Sequence, residues 1–471
     1  MIIWFYSERQ RLDHTQIIKL LLALATLGIF TILLVTARIS HREGEPIATK
    51  RALLGALTVP LPYLALYLLQ FPGRDLIALI FIAIPLLSLA ILIMPWPVRT
   101  RSATPEPRHR IDERDTMFSR NEIKPGSPEF AAYYQARPDA LKRDELFRAK
   151  PGLMSPDAQF YHPLFFTAAE VSFTTIDALQ QKVEPVVSRQ VTALDPAETA
   201  GFIKSWIKKS GAHSIGITRL KPEHLYSVGG RGNRYGKDVV CDQQTAIAFS
   251  VEMNKNMVAC GPGAPTVLES ADQYLLAAVL AVKLAAFLAR LGYKSRAHID
   301  ANYLVVCPLV ARDAGLGEIG RMGLLMTPKL GPRVRLAVVT TELDLPPDAW
   351  KEDRSMTEFC RTCQKCADVC PSQAIPRDDM TADQDGLVRW QIDQERCFSY
   401  WCQTGTDCGR CIALCPYAHP DNPMHNTVRF LIRHAPVFRR FAAVFDDWLY
   451  GSKPAPHADC GWKISKKGEM R

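Results

Sequence analysis

The sequence predicts a mixed α+β and α/β chain in three parts: an N-terminal anchor of three membrane helices, an α/β core, and a compact cysteine module. Three observations lead there. Charge-poor apolar stretches fill the first hundred residues, β-branched runs and amphipathic helical patterns share the middle, and nine of the 13 cysteines fall between Cys360 and Cys415. A chain of 471 residues with 48% hydrophobic content is long enough for two or more domains beside a membrane portion. The expected divisions are 1–112 for anchor and linker, 113–345 for the core, 346–430 for the cysteine module and 431–471 for a C-terminal tail packing on the core.

Residues 17–37, 52–71 and 76–95 are the candidate spans. Each matches the roughly 20 apolar residues that a helix needs to cross a hydrocarbon core. Pro60 and Pro62 kink the second and Pro85 the third, which membrane helices tolerate when neighbours satisfy the freed backbone groups. A cleaved signal peptide accounts for one such stretch, not for all of them. Arg38, Arg42, Lys50 and Arg51 lie in the first loop, and Arg99, Arg101, Arg108 and Arg110 follow the last helix, while the opposite side has only Arg9, Arg11, Lys19 and Arg74. The positive-inside rule then places the large C-terminal part in the cytoplasm of a multi-pass protein of the bacterial inner membrane. Arg9 and Arg11 are separated by Gln10, so no paired-arginine export signal precedes the first helix. The formal net charge is +9, much of it in arginine-rich segments beside apolar runs. That points to a lipid bilayer as partner and not to nucleic acid.

Residues 97–113, rich in Pro, Arg and Thr, read as a linker. Beyond it, residues 245–253 predict a buried strand, 268–291 an amphipathic helix closed by Gly292 as its cap, and 335–341 a further strand. Cys241, Cys260 and Cys307 sit in or beside apolar runs and read as small buried hydrophobes.

The remaining cysteines carry chemistry. Cys360, Cys363, Cys366 and Cys370 precede Pro371 with Cys-x2-Cys-x2-Cys-x3-Cys-Pro spacing, and Cys408, Cys411 and Cys415 precede Pro416. This is the ligand pattern of two-cluster iron–sulfur proteins, in which soft thiolates match iron and the last cysteine of each run crosses to the other cluster. Cys360, Cys363, Cys366 and Cys415 are assigned to one [4Fe–4S] cluster. Cys370, Cys408 and Cys411 hold the second, with Cys397 as fourth ligand and Cys402 as its rival. Zinc knuckles share Cys-x2-Cys pairs and secreted modules share high cysteine content, but the Cys-x3-Cys-Pro endings and the confinement of the cysteines favour clusters. Such a module moves electrons. Its donor, a quinol or a reduced ferredoxin- or flavodoxin-type carrier, is not written in the sequence.

Upstream, Gly315, Gly317 and Gly320 have GxGxxG spacing. No βαβ strand leads into them and no ribose-binding acid is evident, so nicotinamide binding is not expected.

The run from Asn302 to Arg335, with Ala314-Gly-Leu-Gly and Thr327-Pro-Lys-Leu-Gly-Pro-Arg-Val-Arg335, joins Leu291-Gly-Tyr293, Arg396-Cys-Phe-Ser-Tyr400, Phe445-Asp-Asp-Trp-Leu-Tyr-Gly451 and the paired cysteine runs. Together they resemble the corrinoid-dependent reductive dehalogenases over about residues 114–456. Epoxyqueuosine reductases share the Ala-Gly-Leu-Gly and Arg-Cys-x-Ser-Tyr elements. The resemblance implies a nitroreductase-like, corrinoid-binding core and a ferredoxin-like module. It also implies reductive dehalogenation of an organohalide by a base-off cobamide that two [4Fe–4S] clusters reduce. Tyr274 matches the family's proton donor, Arg333 and Arg335 its nearby basic pair, and Asn302 an Asn near the cofactor or the tyrosine. Gly315, Gly317, Gly320 and Arg321 are expected beside the cofactor. Respiratory members are exported and bind a small membrane protein; three spans in cis imply anchoring with the catalytic side inward.

The residue types suit these roles. A phenol with a reference pKa of about 10 donates more readily when a neighbouring cation stabilises its phenolate. Alternation along a strand would point Arg333 and Arg335 to one face. Blander readings stand beside these: a helix tyrosine at the core edge, solvated arginines, a turn asparagine, and Tyr293 or Tyr303 as rival phenols. No Asp-x-His-x2-Gly element is present, compatible with base-off binding without a protein ligand. Two other functions remain open. A reductase of another substrate, epoxyqueuosine-like, would need a basic face for a phosphate backbone. A membrane electron-transfer module would leave about 230 residues before the cysteines without a task, more than a typical domain.

Overall fold

The computed structural model describes residues 14–96, 110–348, 352–382 and 388–462. Arg9, Arg11, Arg99, Arg101 and Arg108, and the linker at 97–109, lie outside the described residues. The chain forms two compact units, Met1–Val98 with Phe430–Pro454, and Arg99–Arg429 with Ala455–Arg471.

The first unit is helical: α1 (His14–Arg42), α2 (Pro46–Thr58), α3 (Leu61–Leu68) and α4 (Arg74–Ile93). Pro60 and Pro62 lack the N–H that would continue the ladder, so the expected kinked second span is two helices with a break between them. Pro85 leaves α4 unbroken. By length and composition α1, the Pro46–Leu68 stretch and α4 are each able to cross a membrane. Arg74, read from sequence as a flanking charge, is buried, with Nε donating to the Leu66 carbonyl at 2.7 Å and Nη1 paired to Asp75 at 2.7 Å. The helix Pro436–Tyr450 packs on α2 and α4, with Leu449 and Tyr450 against Ala48. The tail expected to pack on the core therefore divides, because this helix buries its Phe438, Ala442 and Leu449 face within the first unit.

The second unit is built on strands β1 (Ser214–Arg219), β2 (Thr245–Glu252), β3 (Ser295–His298), β4 (Glu318–Ile319), β5 (Leu325–Met326) and β6 (Val334–Thr341). Four of them form a sheet in the order β1-β2-β6-β3, antiparallel throughout, and β4 and β5 form a separate hairpin. The core is thus α+β and not a parallel βαβ repeat. Alternation sends Ile247, Phe249, Val251, Ala337 and Val339 into one apolar layer and Ala246, Ala248 and Val338 into another. The helix Ala264–Arg290 covers the first layer and Cys307–Asp313 the second, so both faces of β2 are buried, and residues 246–249 are apolar without alternation. Ala264–Arg290 is itself long and apolar enough to cross a membrane, but it packs on the sheet and on Pro163–Leu179 as a core helix. It ends at Gly292 (φ +94°), where the Tyr293 N–H donates to the Leu288 carbonyl at 3.1 Å and the Gly292 N–H to that of Ala289 at 3.0 Å. This is a Schellman closure.

Candidate functional site

Arg335 shares the face of β6 with Ala337 and Val339, which places its side chain beneath the helix Ala264–Arg290. Its guanidinium carbon lies 4.8 Å from the centroid of the Tyr274 ring. Nη2 donates to Ser270 Oγ at 2.6 Å and to Asp407 Oδ2 at 2.7 Å, and the Ser270 hydroxyl also donates to Asp407. Ser270 and Tyr274 stand four residues apart on one helix face, so a single arginine meets both. Burial pushes the Tyr274 phenol up; Arg335 opposes this, while Asp300 and Asp407 add to it. The group therefore keeps its proton at neutral pH, beside a cation positioned to stabilise the phenolate. Tyr274, Arg335, Tyr226, Tyr303, Cys307 and Val334 line a cavity of about 200 Å³. Arg335 Nε and Asp407 Oδ1 are both buried without a hydrogen-bond partner.

The other expected residues fall elsewhere. Arg333 stands before the first paired residue of β6 and does not share the Arg335 cavity; its Nε donates to the Ala418 carbonyl at 3.0 Å, and Nη1 reaches Glu252 at 2.8 Å and the Met253 carbonyl. The shared strand face expected for the two arginines does not form, because pairing begins only at Val334. Asn302 sits in a turn, its N–H donating to the Ile299 carbonyl at 2.9 Å and its Oδ1 accepting from Arg296 at 2.6 Å. Of the rival phenols, Tyr303 reaches the cavity, whereas the Tyr293 hydroxyl donates to the Thr192 carbonyl at 2.8 Å. Tyr226, Ser270 and Asp407 are additions that sequence reasoning missed. Only Asp407 carried a signal, its place beside Cys408.

The glycine run is a helix end followed by a hairpin. Gly315 (φ +80°) closes Cys307–Asp313, and a Cβ on Gly317 would stand 2.0 Å from the Met326 carbonyl oxygen. A Cβ on Gly320 would lie 3.6 Å from Cys360 Sγ, so the hairpin passes directly beside the first cysteine run. Arg321 is buried, donating to the carbonyls of Cys360 at 3.0 Å and Pro376 at 2.8 Å and stacking 4.9 Å from the centroid of Trp390. It fastens the cysteine module to the core. A second cavity of about 470 Å³, lined by Pro308, Arg312, Glu318, Gly320 and Trp390 among others, shares Pro308 with the tyrosine cavity.

The module's thiols gather in two sets. Burial raises the Cys366 thiol, and Cys360, Cys415, Cys411 and Cys363 raise it further. Cys397 is pushed up to about 12 by burial and then by Cys408 and Cys370. Cys402 is raised by burial alone, in an apolar cluster with Met117, Phe147 and Phe398. Among the described residues no three His, Cys, Asp or Glu side chains converge as around a single metal ion.

The family described as "4Fe-4S dicluster domain" matches residues 359–419. The chain is 34% identical over 221 residues to a tetrachloroethene reductive dehalogenase of Desulfitobacterium hafniense, covering 45% of this chain and 39% of the relative. It is 30% identical over 297 residues to that of Sulfurospirillum multivorans, covering 55% and 58%. It therefore spans less than two thirds of the length of these relatives. An epoxyqueuosine reductase of Lactococcus garvieae matches 26% of this chain at 29% identity, covering 34% of that relative. A solved structure, the catabolic reductive dehalogenase NpRdhA in complex with 3-bromo-4-hydroxybenzoic acid, superposes with a TM-score of 0.60 at 25% identity, over 75% of this chain and 49% of that one. By sequence and by fold the chain is similar to the reductive dehalogenases and, over a shorter stretch, to an epoxyqueuosine reductase.

Proposed function

We propose that this chain is a reductive dehalogenase, an oxidoreductase that replaces the halogen of an organohalide by hydrogen and is held in the bacterial inner membrane by three helical spans of its own. The observation that carries the reading is the Tyr274–Arg335 pair on a cavity that shares Pro308 with a larger one, with Arg335 bonded at 2.7 Å to Asp407 beside Cys408. The core, nitroreductase-like in this reading, faces the cytoplasm, and residues 346–430 form a ferredoxin-like domain. Cys360, Cys363, Cys366 and Cys415 hold one [4Fe–4S] cluster, and Cys370, Cys397, Cys408 and Cys411 the other. The electron donor is a quinol or a reduced carrier protein.

The residues lining the larger cavity suit part of a base-off corrinoid, a group bigger than its roughly 470 Å³. Apolar Val306, Leu309, Ile319 and Trp390 offer a surface for a macrocycle, Arg312 and Gln391 offer partners for its polar rim, and Gly320 brings the backbone close to Cys360. Among the described residues no histidine lines either cavity. When bound, the corrinoid supplies a strongly reducing cobalt centre that cleaves a carbon–halogen bond. Overall, the organohalide takes up two electrons and one proton and releases halide. Tyr274 delivers that proton from its hydroxyl to the substrate carbon. Arg335 stabilises the phenolate left behind, and Asp407 and Ser270 hold the guanidinium in place. Arg333 and Arg321 act at one remove, fixing the module against the core.

Tyr274→Phe tests the reading. Dehalogenation should fall by at least about 10²-fold, the usual contribution of a positioned acid, while iron and cobalt contents stay unchanged. Undiminished turnover would remove Tyr274 from the proton-donor role.

A further inference from the structure

The helix Pro436–Tyr450 buries one face and leaves a second, apolar face exposed, which a helix at a protein–water boundary does not. The buried face holds Phe438, Ala442, Leu449 and Tyr450 together with Arg439 and Asp446. The other holds Val437, Phe441, Val444, Phe445 and Trp448, which are 39% to 63% exposed. With Arg440 as the only polar member, these positions follow the alternating four- and three-residue steps of a single helical stripe. Their rings form a row, Phe441 on Phe445 at 5.6 Å and Phe445 on Trp448 at 5.5 Å between centroids. A continuous aromatic stripe open to solvent calls for an apolar neighbour.

What that neighbour is follows from the elements the helix already touches. It packs on α2 and α4, and the Arg51 guanidinium donates to the Trp448 carbonyl. Arg51 and the contacting Ala48 lie in the first two turns of α2, at the end where α1 finishes and α4 also terminates. The contacted helices expose their own large apolar side chains, Leu53, Leu57 and Leu86 among them. We infer that Pro436–Tyr450 is an interfacial membrane helix, lying along one rim of the helical unit with its Phe441–Trp448 stripe in the headgroup and upper acyl region. Phe and Trp suit that depth, since their rings are apolar enough to leave water without crossing the bilayer core. The chain would then touch lipid through both its N-terminal helices and its C-terminal helix. This inference rests on the reading of α1–α4 as membrane-crossing.

Full-length protein reconstituted in vesicles of phosphatidylcholine and phosphatidylglycerol, with bromine on the upper acyl carbons, gives the test. Tryptophan emission of the wild type should be quenched measurably more than that of Trp448→Phe, a substitution that retains the stripe and the fold. A Leu86→Trp variant reports on α4 independently, with quenching best from bromine deeper in the chains. If Leu86→Trp gains quenching while Trp448→Phe loses none, the C-terminal helix is not in lipid and the inference falls with the anchor intact. If neither substitution changes quenching, the membrane reading of the helical unit falls with it. A stripe covered by a second copy of the chain would appear as Trp448 emission shielded from bromolipid and as a dimer by mass photometry, which also overturns the inference.

Discussion

At the residue scale, burial keeps the proton on Tyr274 while the adjacent Arg335 cation, held by Asp407, opposes that shift. Arg335 and the paired cysteines sit inside short motifs, whereas Tyr274 is expected only from the family resemblance; the fold sets Tyr274 and Arg335 side by side. Tyr226 and Ser270 could not be picked out in the sequence, since only the folding of separate segments brings them to the cavity. Glu318, in the larger cavity, makes a separate prediction. Burial pushes its carboxyl up from the ordinary 4.5 to about 7, against the Asp353 N–H that donates to it at 2.8 Å. A carboxyl raised on folding stabilises the folded state in full below its unfolded value and loses that contribution as pH rises through the folded one. Stability of the purified, cofactor-free protein should therefore fall between about pH 4.5 and pH 7 by up to ~3 kcal/mol from this group. Glu318→Gln, which cannot titrate, should flatten that part of the profile in denaturant melts. An unchanged slope would show that another group carries it.

At the element scale, the strands and the core helix were legible because their periodicity is strong and Gly292 ends the helix as a C-cap glycine should. The Pro60 and Pro62 pair was legible as a distortion, but whether a helix bends or breaks depends on its neighbours. Arg333 illustrates a harder limit. Side-chain parity is defined only once pairing starts, and the sequence does not mark Val334 as the first paired residue. The glycine run, superficially a dinucleotide loop, is explained by close approach. A Cβ on Gly317 would meet the Met326 carbonyl oxygen at 2.0 Å, backbone against backbone across β4 and β5, with little room to yield. At Gly315 there is open space and only the positive φ of +80° to resist substitution. Gly317→Ala should therefore cost about 2–3 kcal/mol, as overpacking does, and Gly315→Ala about 1 kcal/mol. Urea midpoints of the two variants check the order; equal losses would mean that the hairpin relaxes freely.

At the scale of the whole molecule, the division of the chain was only partly legible: the N-terminal helices announce themselves by composition, but the return of Phe430–Pro454 to them is a tertiary choice. The same limit applies within the cysteine module. Cys397 lies 11 residues and Cys402 6 residues before Cys408, and local spacing alone does not choose between them. In the fold, burial and then Cys408 and Cys370 raise the Cys397 thiol, and burial, Cys408, Cys397 and Cys370 raise that of Cys411, while Cys402 packs with Phe147 and Phe398 and its thiol, pushed up to about 11, responds to burial alone. A buried thiol in an apolar cluster behaves as a small hydrophobe, whereas a cluster ligand is replaced only at the expense of the metal. Cys397→Ser should thus lower the iron content of anaerobically purified protein by about half and remove the paramagnetic signal of one reduced cluster. Cys402→Ser should keep full iron content and lose only about 1 kcal/mol of stability, the penalty of a hydroxyl in an apolar cluster. The reverse pattern, iron lost from Cys402→Ser and retained in Cys397→Ser, would exchange the two residues and require the helix Gln394–Thr404 to turn its opposite face toward the cluster.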